Sequence, residues 1–224
     1  MSLKFLAFLG SARDSEPPAP PRLGLRVARA CLQHVRQHQP DNAVELIDPL
    51  EFELDAVFKP HFAYARGQAP APLQTLAEKI AEADGYVMVS PEYNHSMSPA
   101  LAHLLNHFGS SLFSWKPSAI VTYSAGQWGG ARAAVAMRTF LSELGCLPVS
   151  AMVQVPRAHE VFTEDGGFAD GVDARAWSGY IDRGLAQLDW WAAAAARHRD
   201  LDDPHQRIGA FKTRPAQRNA PGSP

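Results

Sequence analysis

Cysteine is scarce, with only Cys31 and Cys146 in a chain of 224 residues. The two lie far apart with no Cys-x-x-Cys spacing, which argues against a disulfide scaffold or a thiolate metal site. Both fall at apolar positions, where core packing is the better reading than redox sensing. No run approaches the ~20 apolar residues that span a bilayer, so no membrane association is expected. Charge of one sign is not in excess either. Lys and Arg number 21 against 23 Asp and Glu, a formal charge of -2, and basic residues are interleaved with acidic ones. Nucleic acid is therefore not an expected partner. Three fixed spellings are missing: Gly-x-Gly-x-x-Gly, the Gly-Lys-Ser/Thr of a P-loop, and the Gly-x-Ser-x-Gly of a nucleophile elbow.

Hydrophobic residues make up 46% of the chain, enough for a core in one domain, since a chain this long buries roughly 70% of its extended surface. The apolar start Leu3–Leu9 runs straight into Gly10-Ser11 and reads as a first strand rather than a signal peptide, so the expected location is cytoplasmic. Leu23, Val27, Cys31 and Val35 follow at helical spacing, and Ala43–Asp48 reads as a short second strand. The stretch Pro49–Pro72 mixes acids, aromatics and prolines and reads as a long loop covering a site. Leu73, Leu76, Ala77 and Ile80 restore a helix before the buried strand Tyr86–Ser90. Ser98 is a good N-cap with Pro99 behind it, and Leu101, Leu104, Leu105 and Phe108 form the inward stripe. A strand at Ser118–Ser124 leads into Gly129-Gly130 and a helix that Gly145 stops. Leu147–Val155 supplies a fifth strand, and Trp177, Ile181, Leu185, Leu188 and Trp191 mark a last helix. Residues 1–196 are taken as the domain and 197–224 as a tail, flexible or laid on a partner subunit.

Five apolar strands separated by helices specify an α/β three-layer sandwich around a parallel sheet. The flavodoxin-like order 2-1-3-4-5 fits the count and places a ligand at the carboxyl ends of strands one and three. Three loops meet that edge. In the first, Ser11, Arg13 and Ser15 precede a helix N-terminus, a donor set suited to phosphate but also compatible with an ordinary turn. The second, Ser90–Pro99, is polar and proline-rigid, with Tyr93 as an aromatic wall, and is readable as a flat-ring platform or as a stiff connection. The third carries Gly126, Gly129 and Gly130 around Trp128, either a close approach to a ligand or plain turn chemistry. Together they outline a slot for a flat, phosphorylated cofactor.

Gly10-Ser11-Ala12-Arg13, Pro91-Glu92-Tyr93-Asn94-His95-Ser96, Lys116-Pro117 and Ser124–Gly130, with their spacing, resemble the NAD(P)H-dependent FMN reductase family over roughly residues 3–155. The Pro-Glu-Tyr-Asn stretch is the most specific element. The resemblance implies that Ser11 and Arg13 hold the FMN phosphate, with Ser15 or Arg22 assisting. It implies that Pro91, Glu92, Tyr93 and Asn94 lie along the isoalloxazine largely through backbone, and that Ser124, Ala125 and Gly126 meet its pyrimidine side, with Gly129 closing the same loop. The activity it implies is hydride transfer from NADH or NADPH to the flavin and then to a small acceptor such as free flavin or a quinone. Its members form homodimers, some pairing into homotetramers. No side-chain acid or nucleophile is required, and Tyr93, His95 and Trp128 are expected to shape the substrate side.

Three departures stand out: the proline-rich segment Pro17–Pro21, His107-Phe108 where the family often has an acidic residue, and the long tail. Two other readings stay open. One is a flavin-bound electron carrier, redox sensor or interaction protein; the other, weaker, is a metal site built from His103 and His107 with His95.

Overall fold

The computed structural model describes residues 2–13, 18, 21–52, 54 and 58–207. Strand β1 (Lys4–Leu9) leads to α1 (Leu23–His38) and β2 (Ala43–Ile47), then α2 (Ala71–Glu82) and β3 (Gly85–Pro91). Helices α3 (Pro99–Asn106) and α4 (Ser110–Phe113) precede β4 (Pro117–Tyr123), α5 (Ala131–Glu143) and β5 (Leu147–Val155). Helices α6 (Ala158–Val161), α7 (Ala174–Leu201) and α8 (Pro204–Arg207) complete the described chain. The sheet is parallel throughout, in the order β2-β1-β3-β4-β5, the flavodoxin-like order expected from the strand count.

Two apolar layers follow from period-two alternation on β1. Phe5, Ala7 and Leu9 face a core completed by Val27, Val35, Ile181 and Leu185 of α1 and α7. Leu6 and Phe8 face the opposite core, with Leu76, Ile80, Leu104 and Met137 of α2, α3 and α5. Two helix starts are closed by side-chain caps. Ser98 Oγ accepts from the Leu101 N–H at 3.1 Å with Pro99 at the first position, and Asp173 caps α7 through the Ala176 N–H at 3.0 Å. Gly145, at φ +100, ends the turn before β5. Cys31 and Cys146 are buried, and desolvation pushes each thiol up to about 12.

Strand β5 is an edge whose outward groups are occupied by side chains. Arg138 of α5 donates to the Val149 carbonyl at 2.9 Å, Gln187 of α7 accepts from the Ala151 N–H at 3.3 Å, and the Tyr180 hydroxyl accepts from the Gln154 N–H at 3.1 Å. At the opposite end of the sheet from the strands' carboxyl ends, Lys116 is buried and donates to the carbonyls of Ile80, Ala81 and Leu112 at 2.8, 2.7 and 3.2 Å. It ties the ends of α2 and α4 together.

Helix α7 passes residue 197, because Arg199 is anchored at 2.8 Å to Asp84 and at 3.1 Å to the Trp115 carbonyl. Residues 208–224 of the expected tail lie outside the described residues, as do most of Pro17–Pro21. The loop expected to cover a site contains two 3-10 turns, Pro49–Glu51 and His61–Ala63. Its described part packs on α3 instead: Phe58 meets the His103 and His107 rings edge-on, and the His61 N–H donates to the His107 carbonyl at 2.7 Å. Among the described residues no helix is long and apolar enough to cross a membrane.

Candidate functional site

A cleft of about 900 Å³ opens at the carboxyl ends of β1, β3 and β4. One end of it is built by residues 10–13 and the start of α1. Gly10 fits there because a Cβ would stand 2.7 Å from the Val89 carbonyl oxygen. Arg22, just before α1, makes a two-pronged ion pair with Asp48, at 2.6 and 3.0 Å, and both side chains are buried at 4% and 10% exposure. The same guanidinium donates to the Ser11 carbonyl. In a trans peptide C=O and N–H point opposite ways, so holding the Ser11 carbonyl turns the Ala12 N–H away from Arg22. Beneath this loop the Tyr123 ring packs against Gly24 of α1. Burial pushes its phenol well up, an effect the neighbouring Ser11 hydroxyl and Arg22 partly offset.

The charge at this end is positive. Arg13 is exposed at the rim, and Arg26 lines the cleft. Arg26 donates to the Phe162 carbonyl at 3.1 Å, while its Nε is buried and has no hydrogen-bond partner among the described residues. Its guanidinium also pairs with Glu164 at 3.5 Å; a cationic group with one unsatisfied N–H beside a helix N-terminus is a fit for a phosphate.

The wall of the cleft is the strip Pro91, Glu92 and Tyr93, faced by Ser124 and Ala125. Glu92 holds that strip to α5: its carboxylate accepts from the Arg132 guanidinium at 2.6 Å and from the Arg132 and Ala133 amides at 3.1 and 3.3 Å. Desolvation pulls the Glu92 carboxyl up, but these donors outweigh it and leave it below the usual carboxylate range. After it the chain reverses in a tight turn, with Tyr93 and Ser96 exchanging both backbone hydrogen bonds at 2.9 Å and φ of +49 and +64 at Asn94 and His95. Both central residues left-handed is the hairpin-type turn. The Ser124 hydroxyl is spent inside its own loop, donating to Gly126 O at 2.7 Å and accepting from Gly129 N at 2.9 Å, so this wall offers backbone rather than hydroxyl groups.

Of the residues expected at the site, Ser11, Arg13, Arg22, Pro91, Glu92, Tyr93, Ser124 and Ala125 line the one cleft. Asn94 and His95 sit at the turn tip and do not line it, nor do Gly126 and Gly129. Gly129 is packed on β5, where a Cβ would stand 3.0 Å from Pro156 N. Ser15 lies outside the described residues. Trp128 lines a separate cavity, 63% exposed, with the Arg132 guanidinium 5.7 Å from its ring centre. Sequence reasoning missed Arg26 and His159 among the lining residues, and Asp48 as the buried partner of Arg22. His159 could have been found by extending the inspected loops to the one after β5; Asp48 follows β2 but does not line the cleft. The His103 and His107 rings meet edge-on at 4.6 Å, and His107 Nδ1 bonds the His103 carbonyl at 2.8 Å. Among the described residues no group of three or more His, Cys, Asp or Glu is placed to hold a metal ion.

The model of the NADPH-dependent FMN reductase family matches residues 3–160. An NAD(P)H-dependent FMN reductase of Pseudomonas aeruginosa is 34% identical over 111 residues, 48% of this chain and 60% of that protein. A quinone reductase of Escherichia coli is 40% identical over 75 residues, 32% of this chain and 40% of that protein. The chain thus matches about half the length of these curated relatives. In shape it is similar to FerB, a flavoenzyme NAD(P)H:(acceptor) oxidoreductase of Paracoccus denitrificans. The TM-score is 0.64 at 20% identity, covering 84% of this chain and 97% of that one.

Proposed function

The chain belongs to the NADPH-dependent FMN reductase family, and from that premise we propose that it is an FMN-dependent oxidoreductase. It takes hydride from NADH or NADPH and passes the electrons to a small acceptor such as free flavin or a quinone. The observation that carries this reading is the single cleft with a cationic, amide-rich end and a flat backbone-lined wall. FMN has the same two-part chemistry, and when bound it supplies the two-electron redox chemistry.

The protein's own residues bind and orient. Arg13, Arg26 and the first amides of α1 neutralise and hydrogen-bond a phosphate. Arg22, already paired with Asp48, positions the Ser11–Ala12 peptide instead of carrying charge to the ligand. The 91–93 strip and Ser124-Ala125 present backbone groups to the edge of a ring system. Glu92 keeps the first of these walls fixed to α5, and Tyr93, 43% exposed, borders the open side where a donor and then an acceptor enter.

The experiment is the visible spectrum of the purified protein after FMN is added and the excess removed, followed without oxygen on addition of NADH and then NADPH. Retained flavin absorbance bleached by either nucleotide is the expected result. Retained flavin that neither bleaches would replace the reductase reading with an electron carrier. Absence of both FMN binding by titration and flavin reduction would overturn it.

A further inference from the structure

A second cavity, of about 460 Å³, lies across the third loop from the cleft. It is lined by Trp128, Trp177 and Tyr180, with the amides of Gln127 and Gln154 and with Pro156. Among the described residues no charged side chain lines it. Three aromatic rings and two neutral amides suit a flat, uncharged ring with hydrogen-bonding edges, and the volume is that of a small-ligand site.

The boundary between the two hollows is narrow in sequence terms. On the third loop Ser124 and Ala125 border the cleft while Gln127 and Trp128 border the cavity, so Gly126 is the crest. After β5, Pro156 borders the cavity and His159 the cleft, and Arg157 stands between them. The two crests are joined, since the Arg157 N–H donates to the Gly126 carbonyl at 2.9 Å. Gly126 is exposed, and a Cβ there would meet nothing within 4 Å. Arg157 is exposed and held left-handed, at φ +45 and ψ +50. A non-glycine residue in that region is strained, and such strain persists where surrounding bonds impose it and clusters at ligand clamps.

We propose that the ridge Gly126–Arg157 and the aromatic cavity behind it form the site for the non-reacting half of the dinucleotide donor. The inference rests on the oxidoreductase reading. A nicotinamide dinucleotide has two flat ends joined by a diphosphate, and the reacting ring must lie in the flavin cleft. The diphosphate then crosses the ridge against the Arg157 guanidinium, and the adenine enters between the rings of Trp128, Trp177 and Tyr180. Gln127 and Gln154 offer a donor and an acceptor each to its edge.

The test uses ADP-ribose, which keeps the adenine and diphosphate but lacks nicotinamide, and reduced nicotinamide mononucleotide, which lacks the adenosine half. FMN-loaded wild type, Arg157→Gly and Trp128→Ala are compared. ADP-ribose binding by calorimetry is expected to weaken about tenfold in each variant, the scale of losing one stacked base or one charge-assisted contact. The KM for NADH or NADPH is expected to rise by a similar factor, while the KM for the mononucleotide stays within about twofold. Glycine accepts the left-handed backbone, so Arg157→Gly is expected to hold or raise the melting temperature, which separates lost binding from damage to the fold. Failure of wild type to bind ADP-ribose, equal KM changes for both donors, or variants that alter only subunit assembly would each overturn the proposal. If wild type oxidises neither donor yet binds ADP-ribose and loses it in the variants, the nucleotide site stands and the oxidoreductase reading falls.

Discussion

The Arg22–Asp48 pair is the sharpest place to perturb the cleft without touching the 91–93 strip or Ser124-Ala125. The pair is bidentate, at 2.6 and 3.0 Å, with side chains 4% and 10% exposed, so solvent screens it little. Removing one partner leaves a buried uncompensated charge, a change that costs about 3–5 kcal/mol in such settings. For a chain of this length each kcal/mol moves the melting temperature by roughly 2–4 °C. Arg22→Met and Asp48→Leu are therefore each expected to lower it by roughly 6–20 °C. The double variant replaces the pair with apolar groups of similar volume, and it is expected to recover most of that loss. FMN affinity is expected to behave differently. Arg22 also holds the Ser11 carbonyl, so the double variant regains stability but not the aim of the 11–12 peptide. Thermal unfolding by circular dichroism, with FMN titration by fluorescence quenching on all four proteins, measures both quantities. A double variant as unstable as the sum of the singles would refute the coupling. One that binds FMN like wild type would refute the positioning role of Arg22.

Three further outcomes follow from the same geometry. Gly24→Ala would place a Cβ 2.2 Å from the Tyr123 hydroxyl oxygen, an overpacking expected to cost about 1–3 kcal/mol; adding Tyr123→Phe should return much of it, read by chemical denaturation. Glu92→Gln removes a carboxylate whose folded value is depressed. Its contribution is present above the unfolded value near 4.5 and lost as pH falls through the folded one, so the stability gap between wild type and Glu92→Gln should close toward acid and stay constant from pH 6 to 8. Arg26→Met removes a cleft-lining guanidinium whose Nε has no hydrogen-bond partner among the described residues. It is expected to weaken FMN binding about tenfold, with a smaller effect on riboflavin, which lacks the phosphate.

Periodicity made the frame legible. Strand β5 was expected at Leu147–Val155 and lies there, because an apolar run bounded by Gly145 and Pro156 leaves little choice of ends. The cap at Ser98 and the stop at Gly145 were equally plain, since each depends on residues within four positions. What escaped were pairings across long separations. Nothing near Arg22 in sequence points to Asp48, and nothing near Glu92 points to the amides that open α5, 40 residues on. The sequence therefore suggested a backbone platform at Glu92 but not where its carboxylate goes, which is to Arg132 and the amides of α5. The 94–95 turn was hidden for another reason: asparagine accepts a left-handed backbone, but His95 gives no such signal. The long loop after β2 failed because aromatics and prolines without a period do not say which surface they will cover.

The occupied edge at β5 limits how this protein can grow or associate. With Arg138, Gln187 and Tyr180 already bonded to its outward backbone groups, a sixth strand would have to displace three side chains anchored on two different helices. Recruitment of a neighbouring chain by strand addition at this edge is disfavoured. On this side of the sheet the surface left for a neighbour is helical, and Trp190 and Trp191 stand exposed on α7.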